Sequence, residues 1–207
     1  MRRISRTISN SNLIAHKVNP LLVSLEETIK VRASYWAFKR WIHDPSSAII
    51  YSTMEITQRT ATLNDSAILL FWRNSLEARE VSVNTESISR EDHSKWILSR
   101  LTKVHFEPFL IFIAEQTPIG MTRLDLVSES LEKFEISIFV DPKYQGRGVG
   151  EKILKMTCDT FFSVNPEKTI VAKVHKLNFV SQKLFKKGGF EFSSQEEDFL
   201  RYEKNSI

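Results

Sequence analysis

Gln145-Gly146-Arg147-Gly148-Val149-Gly150 is the stretch that decides how this sequence is read. Before it stands an apolar run, Ile136 to Val140, with the look of a strand. After it Ile153, Leu154, Cys158 and Phe161 recur at helical spacing. Glycines at a strand-to-helix turn accept positive φ and let a ligand approach the bare backbone. The first N–H groups of the following helix have no partner inside it and carry the positive end of its dipole. The turn therefore suits a pyrophosphate, with Arg147 as a cation at the rim. The spacing is not the G-x-x-x-x-G-K-S/T of a P-loop. It also differs from the G-x-G-x-x-G that opens an early parallel βαβ unit. The plain alternative is a tight turn that holds nothing.

Outward from the loop, the chain reads as alternating strands and helices. Downstream come a strand at Thr169 to Val174, a helix from Asn178 to Lys187, and strands around Phe190 and from Phe199 to Tyr202. Upstream, strand patterns occupy Phe109 to Glu115, Ile119 to Val127 and Phe134 to Val140, with Gln116-Thr117-Pro118 read as a turn. A helix is predicted from Asp65 to Asn74, and another from Ser89, where Ser89 and Asp92 make a capping box. Met54 opens the first strand pattern. Adjacent antiparallel strands within a mixed order argue for an α+β fold with a mixed three-layer αβα arrangement.

The 207 residues divide unevenly in charge. Residues 1–53 carry a net +5 and contain a helical pattern over about 21–42; residues 54–207 carry a net −1. We read 1–53 as a basic leader, either a transit segment or a plain extension, and 54–207 as the main domain. The main domain has no charge bias that calls for nucleic acid. No apolar stretch is long enough to span a bilayer. A single cysteine, Cys158, excludes a disulfide framework and a cysteine-cluster metal site. No metal is expected, and a reducing, cytoplasmic setting fits.

Val174-His175-Lys176-Leu177-Asn178 through Ser181, Leu184-Phe185, Lys187 and Gly189-Phe190 forms a second motif. Together with Gln145-x-x-Gly148-x-Gly150 it strongly resembles the GNAT superfamily of N-acetyltransferases, over roughly residues 54–203. The resemblance implies the GNAT fold, in which a central mixed sheet splays open, usually at a bulge. It also implies acetyl-CoA as cofactor. Gln145, Gly146, Arg147, Gly148, Val149 and Gly150 would hold its pyrophosphate, Phe139 and Val140 would offer backbone contacts to its arm, and Asn178 would cap a helix and reach the same arm.

The chemistry implied is direct attack of an amine on a thioester, which needs a proton acceptor and a route for the thiolate. Glu135 matches the family's acid in Phe134-Glu135-Ile136-Ser137-Ile138. The tyrosine that usually serves as acid is Phe185 here, a clear departure; Tyr144, His175 and Ser181 are the substitutes at hand. Residues 71–79, with Trp72, Arg73, Asn74 and Arg79, and residues 88–96, with Arg90, His93 and Trp96, look like segments of a subgroup that acetylates nucleotide-linked amino sugars, as in pseudaminic-acid biosynthesis; ribosomal-protein and polyamine acetyltransferases share parts of the same pattern. Arg73, Arg79 and Arg90 would then pair with phosphate, Trp72 or Trp96 would stack on a base or sugar, and Asn74 and His93 would read hydroxyls. The plain alternatives are a core role for the tryptophans and a solvated face for the arginines. The expected partner is a small-molecule amine, with a homodimer left open. Acetylation of protein N-termini or lysines is the alternative within the class, and a non-catalytic CoA-binding module the alternative outside it.

Overall fold

The computed structural model describes residues 54–80, 85–127 and 130–206. The basic leader and its helical pattern lie outside the described residues. Among the described residues seven strands form one sheet: β1 Thr57–Thr60, β2 Phe109–Ala114, β3 Thr117–Leu126, β4 Lys133–Val140, β5 Thr169–His175, β6 Glu191–Glu196 and β7 Phe199–Asn205. Their order is β1-β2-β3-β4-β5-β7-β6, and every neighbouring pair is antiparallel except β4 with β5. The helices are α1 Ser66–Asn74, α2 Leu76–Glu80, α3 Arg90–Leu101, α4 Val149–Val164 and α5 Phe179–Lys187. No helix among the described residues is long and apolar enough to cross a membrane.

Side-chain alternation along the strands builds the three layers. Phe109 and Ile111 of β2 join Leu69 and Trp72 of α1 and Ile97 of α3 in one core. Leu110, Phe112 and Ala114, at the alternate positions, pack against Val149 and Ile153 of α4 on the other face. A strand apolar on both faces must be covered on both, which is why β2 reads as an unbroken hydrophobic run. Phe134 and Ile136 of β4 complete the second face with Leu154, Cys158 and Phe161 of α4 and Phe185 of α5. A buried hydroxyl pair, Thr122 with Thr157 at 2.9 Å, ties β3 to α4.

One local expectation is corrected. The hairpin after β2 turns at Glu115 and Gln116, which both have positive φ, and Thr117-Pro118 already belongs to β3. Positive φ at both central residues matches the twist of the strands they join. A bulge between Phe112 and Ile113 accommodates the register around Pro118. The short helix α2 carries no buried residue and had no apolar periodicity to betray it.

The feature that positions the site is the parting of β4 from β5. Lys133, Phe134 and Glu135 pair with Thr169, Ile170 and Val171, and the ladder stops there although both strands run on. The β3–β4 register meanwhile continues unbroken from Leu126↔Phe134 to Gly120↔Val140. The sheet thus splays into a wedge without the bulge in β4 that the resemblance implied.

Candidate active site

One edge of the wedge is bare backbone, and the ladder fixes which residues supply it. The Asp141 N–H donates to the Ile119 carbonyl at 2.9 Å, and the Val127 N–H donates to that of Lys133 at 2.9 Å. In an antiparallel pair hydrogen-bonded and non-bonded partners alternate. Residues 135, 137 and 139 therefore spend their backbone groups on β3, while 134, 136, 138 and 140 turn theirs toward β5. The Glu132 carbonyl, accepting from Thr169 at 2.9 Å, confirms the phase. Past the end of the β4–β5 ladder, the outward groups belong to Ile138 and Val140. This corrects the backbone role expected of Phe139, whose side chain instead forms part of the wall by packing on Trp72 at 5.4 Å. The Val140 carbonyl accepts from Gln145 Nε2 at 2.8 Å, so Gln145 fastens the loop to the strand end.

Beyond Gln145, Gly146 and Gly148 hold φ of +74° and +75°. A Cβ at either would meet nothing within 4 Å, so both face open space rather than a packed neighbour. Gly148 is the N-cap of the 16-residue α4, and no side chain caps that end. Its first N–H groups are left to a ligand. Glu151, an acid in the first turn, is paired with Lys187 at 2.8 Å, which offsets its charge beside an anion site. A Cβ at Gly150 would stand 3.6 Å from Leu184 of α5, so the start of α4 lies close beside α5.

The wedge opens into a cavity of about 380 Å³. Glu135, Ser137, Ile138 and Phe139 line it from β4, Lys173, Val174 and His175 from β5, Asn178, Ser181 and Phe185 from the α5 side, and Trp72, Arg73, His93 and Trp96 from the opposite helices. The half-buried Glu135 carboxylate makes no hydrogen bond or ion pair among the described residues. A larger concavity of about 510 Å³ lies behind α4 around Cys158 and Lys204, where burial raises the thiol to about 11 and leaves it inert. It has no bare strand edge and no unpaired carboxylate comparable to Glu135.

The profile of the acetyltransferase (GNAT) domain matches residues 56–191. The chain belongs to that family. Its fold is shared with spermidine N-acetyltransferase from Vibrio cholerae, solved with CoA and spermine (18% identity, TM-score 0.65, covering 72% of this chain and 94% of that one). It is likewise shared with ribosomal-protein-alanine N-acetyltransferase from Brucella melitensis (21% identity, TM-score 0.61, 72% and 99% covered). A comparison with curated proteins finds no match. As a GNAT protein the chain is an acetyl-CoA-dependent N-acetyltransferase. Acetyl-CoA supplies an acyl group activated as a thioester, and the uncapped α4 terminus, the open glycines and the outward edge of β4 fit such a cofactor.

Within this GNAT site the predicted acceptor residues have different fates. Trp72 is 2% exposed and donates from Nε1 to Asp141 Oδ2 at 3.3 Å, so it is a core wall that ties α1 to the end of β4. Asn74 spends both ends of its amide on Ile88, donating to its carbonyl at 2.9 Å and accepting from its N–H at 2.8 Å. It pins the approach to α3, and the hydroxyl-reading role expected of it is corrected accordingly. His93 is buried, and its Nε2 lies 2.9 Å from the Ser66 carbonyl. Burial pushes its pKa below the usual histidine value, against the opposing pull of that carbonyl. A neutral ring donating there links α3 to α1, which leaves Nδ1 alone for any ligand. Arg79 and Arg90 lie outside the cavity lining, whereas Arg73 is within it.

Phe185 is 3% exposed and packs edge-on against Phe190 at 5.0 Å. It cannot donate a proton. Of the three substitutes, His175 and Ser181 line the cavity and Tyr144 packs in the core beneath α4 instead. Asn178 caps α5 through Oδ1, which accepts the Ser181 N–H at 3.0 Å. Sequence reasoning passed over Arg123 and Ser137, which alternation along β3 and β4 sets on the same sheet face as Glu135.

Proposed function

We propose that the chain transfers an acetyl group from acetyl-CoA to the primary amine of a nucleotide-linked amino sugar, with Glu135 taking the amine proton. The observation that carries the acetyl-transfer step is the unpaired Glu135 carboxylate, in the same cavity as Ile138, whose backbone groups turn away from β3. A general base must lie within hydrogen-bond reach of its proton, directly or through one water. Glu135 meets that demand for an amine entering between α1 and α3. Gln145 to Gly150 hold the cofactor's pyrophosphate, Ile138 and Val140 its arm, and Asn178 the same arm from the other side of the wedge. The departing sulfur leaves toward these backbone N–H groups and solvent, since Phe185 offers no proton. Residues 54–207 form the catalytic domain, and a nucleotide-sugar acceptor is a cytoplasmic one.

The test is acetyl transfer to a panel of UDP-linked amino sugars, polyamines and peptides, read by mass spectrometry. The expected product is the N-acetylated UDP-amino sugar. Turnover confined to peptide amines or polyamines would overturn the acceptor assignment.

A further inference from the structure

Asp141 stands between the two halves of the cofactor seat. Val140, whose backbone turns toward the wedge, precedes it, and Gln145 and the glycine turn follow. Every polar group of Asp141 is engaged, and on different elements. Its N–H donates to the Ile119 carbonyl of β3 at 2.9 Å, and its own carbonyl accepts from the Tyr144 N–H at 2.8 Å. Its Oδ1 accepts from the Lys143 N–H at 3.0 Å, and its Oδ2 from Trp72 Nε1 of α1 at 3.3 Å. One side chain thus caps the short 3₁₀ helix Pro142–Tyr144 that leads into the glycines, and ties it to the helical layer.

The strand end before Asp141 is closely confined. A Cβ at Gly120 would stand 2.6 Å from the Phe139 carbonyl oxygen and 3.3 Å from Val140 Cα, so β3 bears directly on that backbone. Val140 packs against the cluster of Val149 and Ile153 from α4, and the Phe139 ring against Trp72 at 5.4 Å. Neighbours in β3, α1 and α4 therefore hold the last residues of β4, and the chain leaves the strand at Asp141. A ligand that spans edge and turn gains most when their relative placement is fixed before it arrives.

We infer that Asp141 is a positioning residue for acetyl-CoA: anchored by the Trp72 indole, its carboxylate sets the glycine turn at a fixed angle to the outward edge of β4. This rests on the reading that edge and turn together seat the cofactor. Both carboxylate oxygens are spent within the protein, so Asp141 acts through the turn. Charge alone gives the opposite expectation for its removal. A carboxylate beside a pyrophosphate site repels the anion, so neutralising it should tighten binding, whereas a positioning role requires that binding weaken.

The experiment is calorimetric titration of CoA into the full chain, Trp72→Phe, Asp141→Asn and the double variant. ADP, which carries the pyrophosphate without the arm, is titrated in parallel. Phenylalanine keeps a ring against Phe139 but has no N–H, and asparagine keeps the shape but has one acceptor oxygen for two donors. Each single variant is expected to weaken CoA by roughly 3–10-fold, the size of one ordinary hydrogen bond. The double variant should lose no more than the worse single one, since both break the same bond. ADP should bind every variant at least as tightly as wild type, because it needs the turn alone. Thermal unfolding checks each protein, and the isosteric Asp141→Asn carries the test if Trp72→Phe does not fold. Undiminished CoA affinity in Asp141→Asn would overturn the inference. So would additive losses in the double variant, or equal losses of CoA and ADP. Gly148→Glu separates the two readings: if it alone silences CoA, the seat stands and the positioning role falls. If it binds CoA as wild type does, the seat is misplaced and the inference falls with it.

Discussion

Glu135→Gln is expected to lower kcat by roughly 10²–10⁴-fold while leaving the KM for acetyl-CoA within about twofold of wild type. The amide preserves the shape of the side chain but cannot take a proton from the attacking amine. Nothing else in the fold leans on the carboxylate, since it has no ion pair or hydrogen bond among the described residues, so the substitution should not unsettle β4. The neighbouring carboxylate, Asp125, cannot take over the role. It does not line the cavity, and its two oxygens are already engaged by Arg100 at 3.0 Å and Arg123 at 2.6 Å. A steady-state rate at saturating acetyl-CoA and acceptor decides the matter. An unchanged kcat would mean that the amine loses its proton elsewhere.

Gly148→Glu is expected to weaken CoA by roughly 10²-fold or more, the size of placing like charges together in a binding site. Two effects act at this position and can be separated. Any side chain at φ of +75° costs about 1–2 kcal/mol of backbone strain. Gly148→Ala carries that strain alone, since its Cβ would meet nothing within 4 Å. The glutamate adds a carboxylate at the uncapped start of α4, where its charge competes with the ligand for the same N–H groups. Calorimetry with CoA should therefore find Gly148→Ala mildly impaired and Gly148→Glu nearly silent. Equal losses in the two variants would show that strain, and not an anion seat, accounts for the glycine.

The glycine turn was legible in the sequence because its signal is local. Gly146 and Gly148 stand where a strand pattern gives way to a helix, and positive φ at both is what such glycines supply. The Asn178 and Ser89 caps follow from polar residues immediately before helical patterns, and the structure has both side chains accepting the expected backbone N–H groups. The three-layer arrangement followed from the order of elements and the apolar runs.

What escaped reading depends on contacts between distant segments. Which β4 residues present backbone to the wedge is set by Asp141 pairing with Ile119, and a shift of one residue exchanges Phe139 for Ile138. Asn74 read as a ligand-facing amide until the chain brought Ile88 to both of its ends. Arg123 carried no motif; it reaches the cavity only because the ladder sets it opposite Ser137, on the Glu135 face, and under Trp96 from another layer. The Glu115-Gln116 turn lacks the glycine or asparagine that usually announces positive φ, so Pro118 drew the turn two residues too far.

The central claim is that the parted edge of β4 and the glycine loop seat acetyl-CoA. Amide hydrogen exchange with and without saturating acetyl-CoA tests it most directly. The account predicts slowed exchange at Ile138, Val140 and the first turn of α4 from Val149 to Glu151, with no change at Met121 and Arg123, whose amides already belong to the sheet. Acetyl-CoA that binds without protecting Ile138, Val140 and that first turn would contradict it.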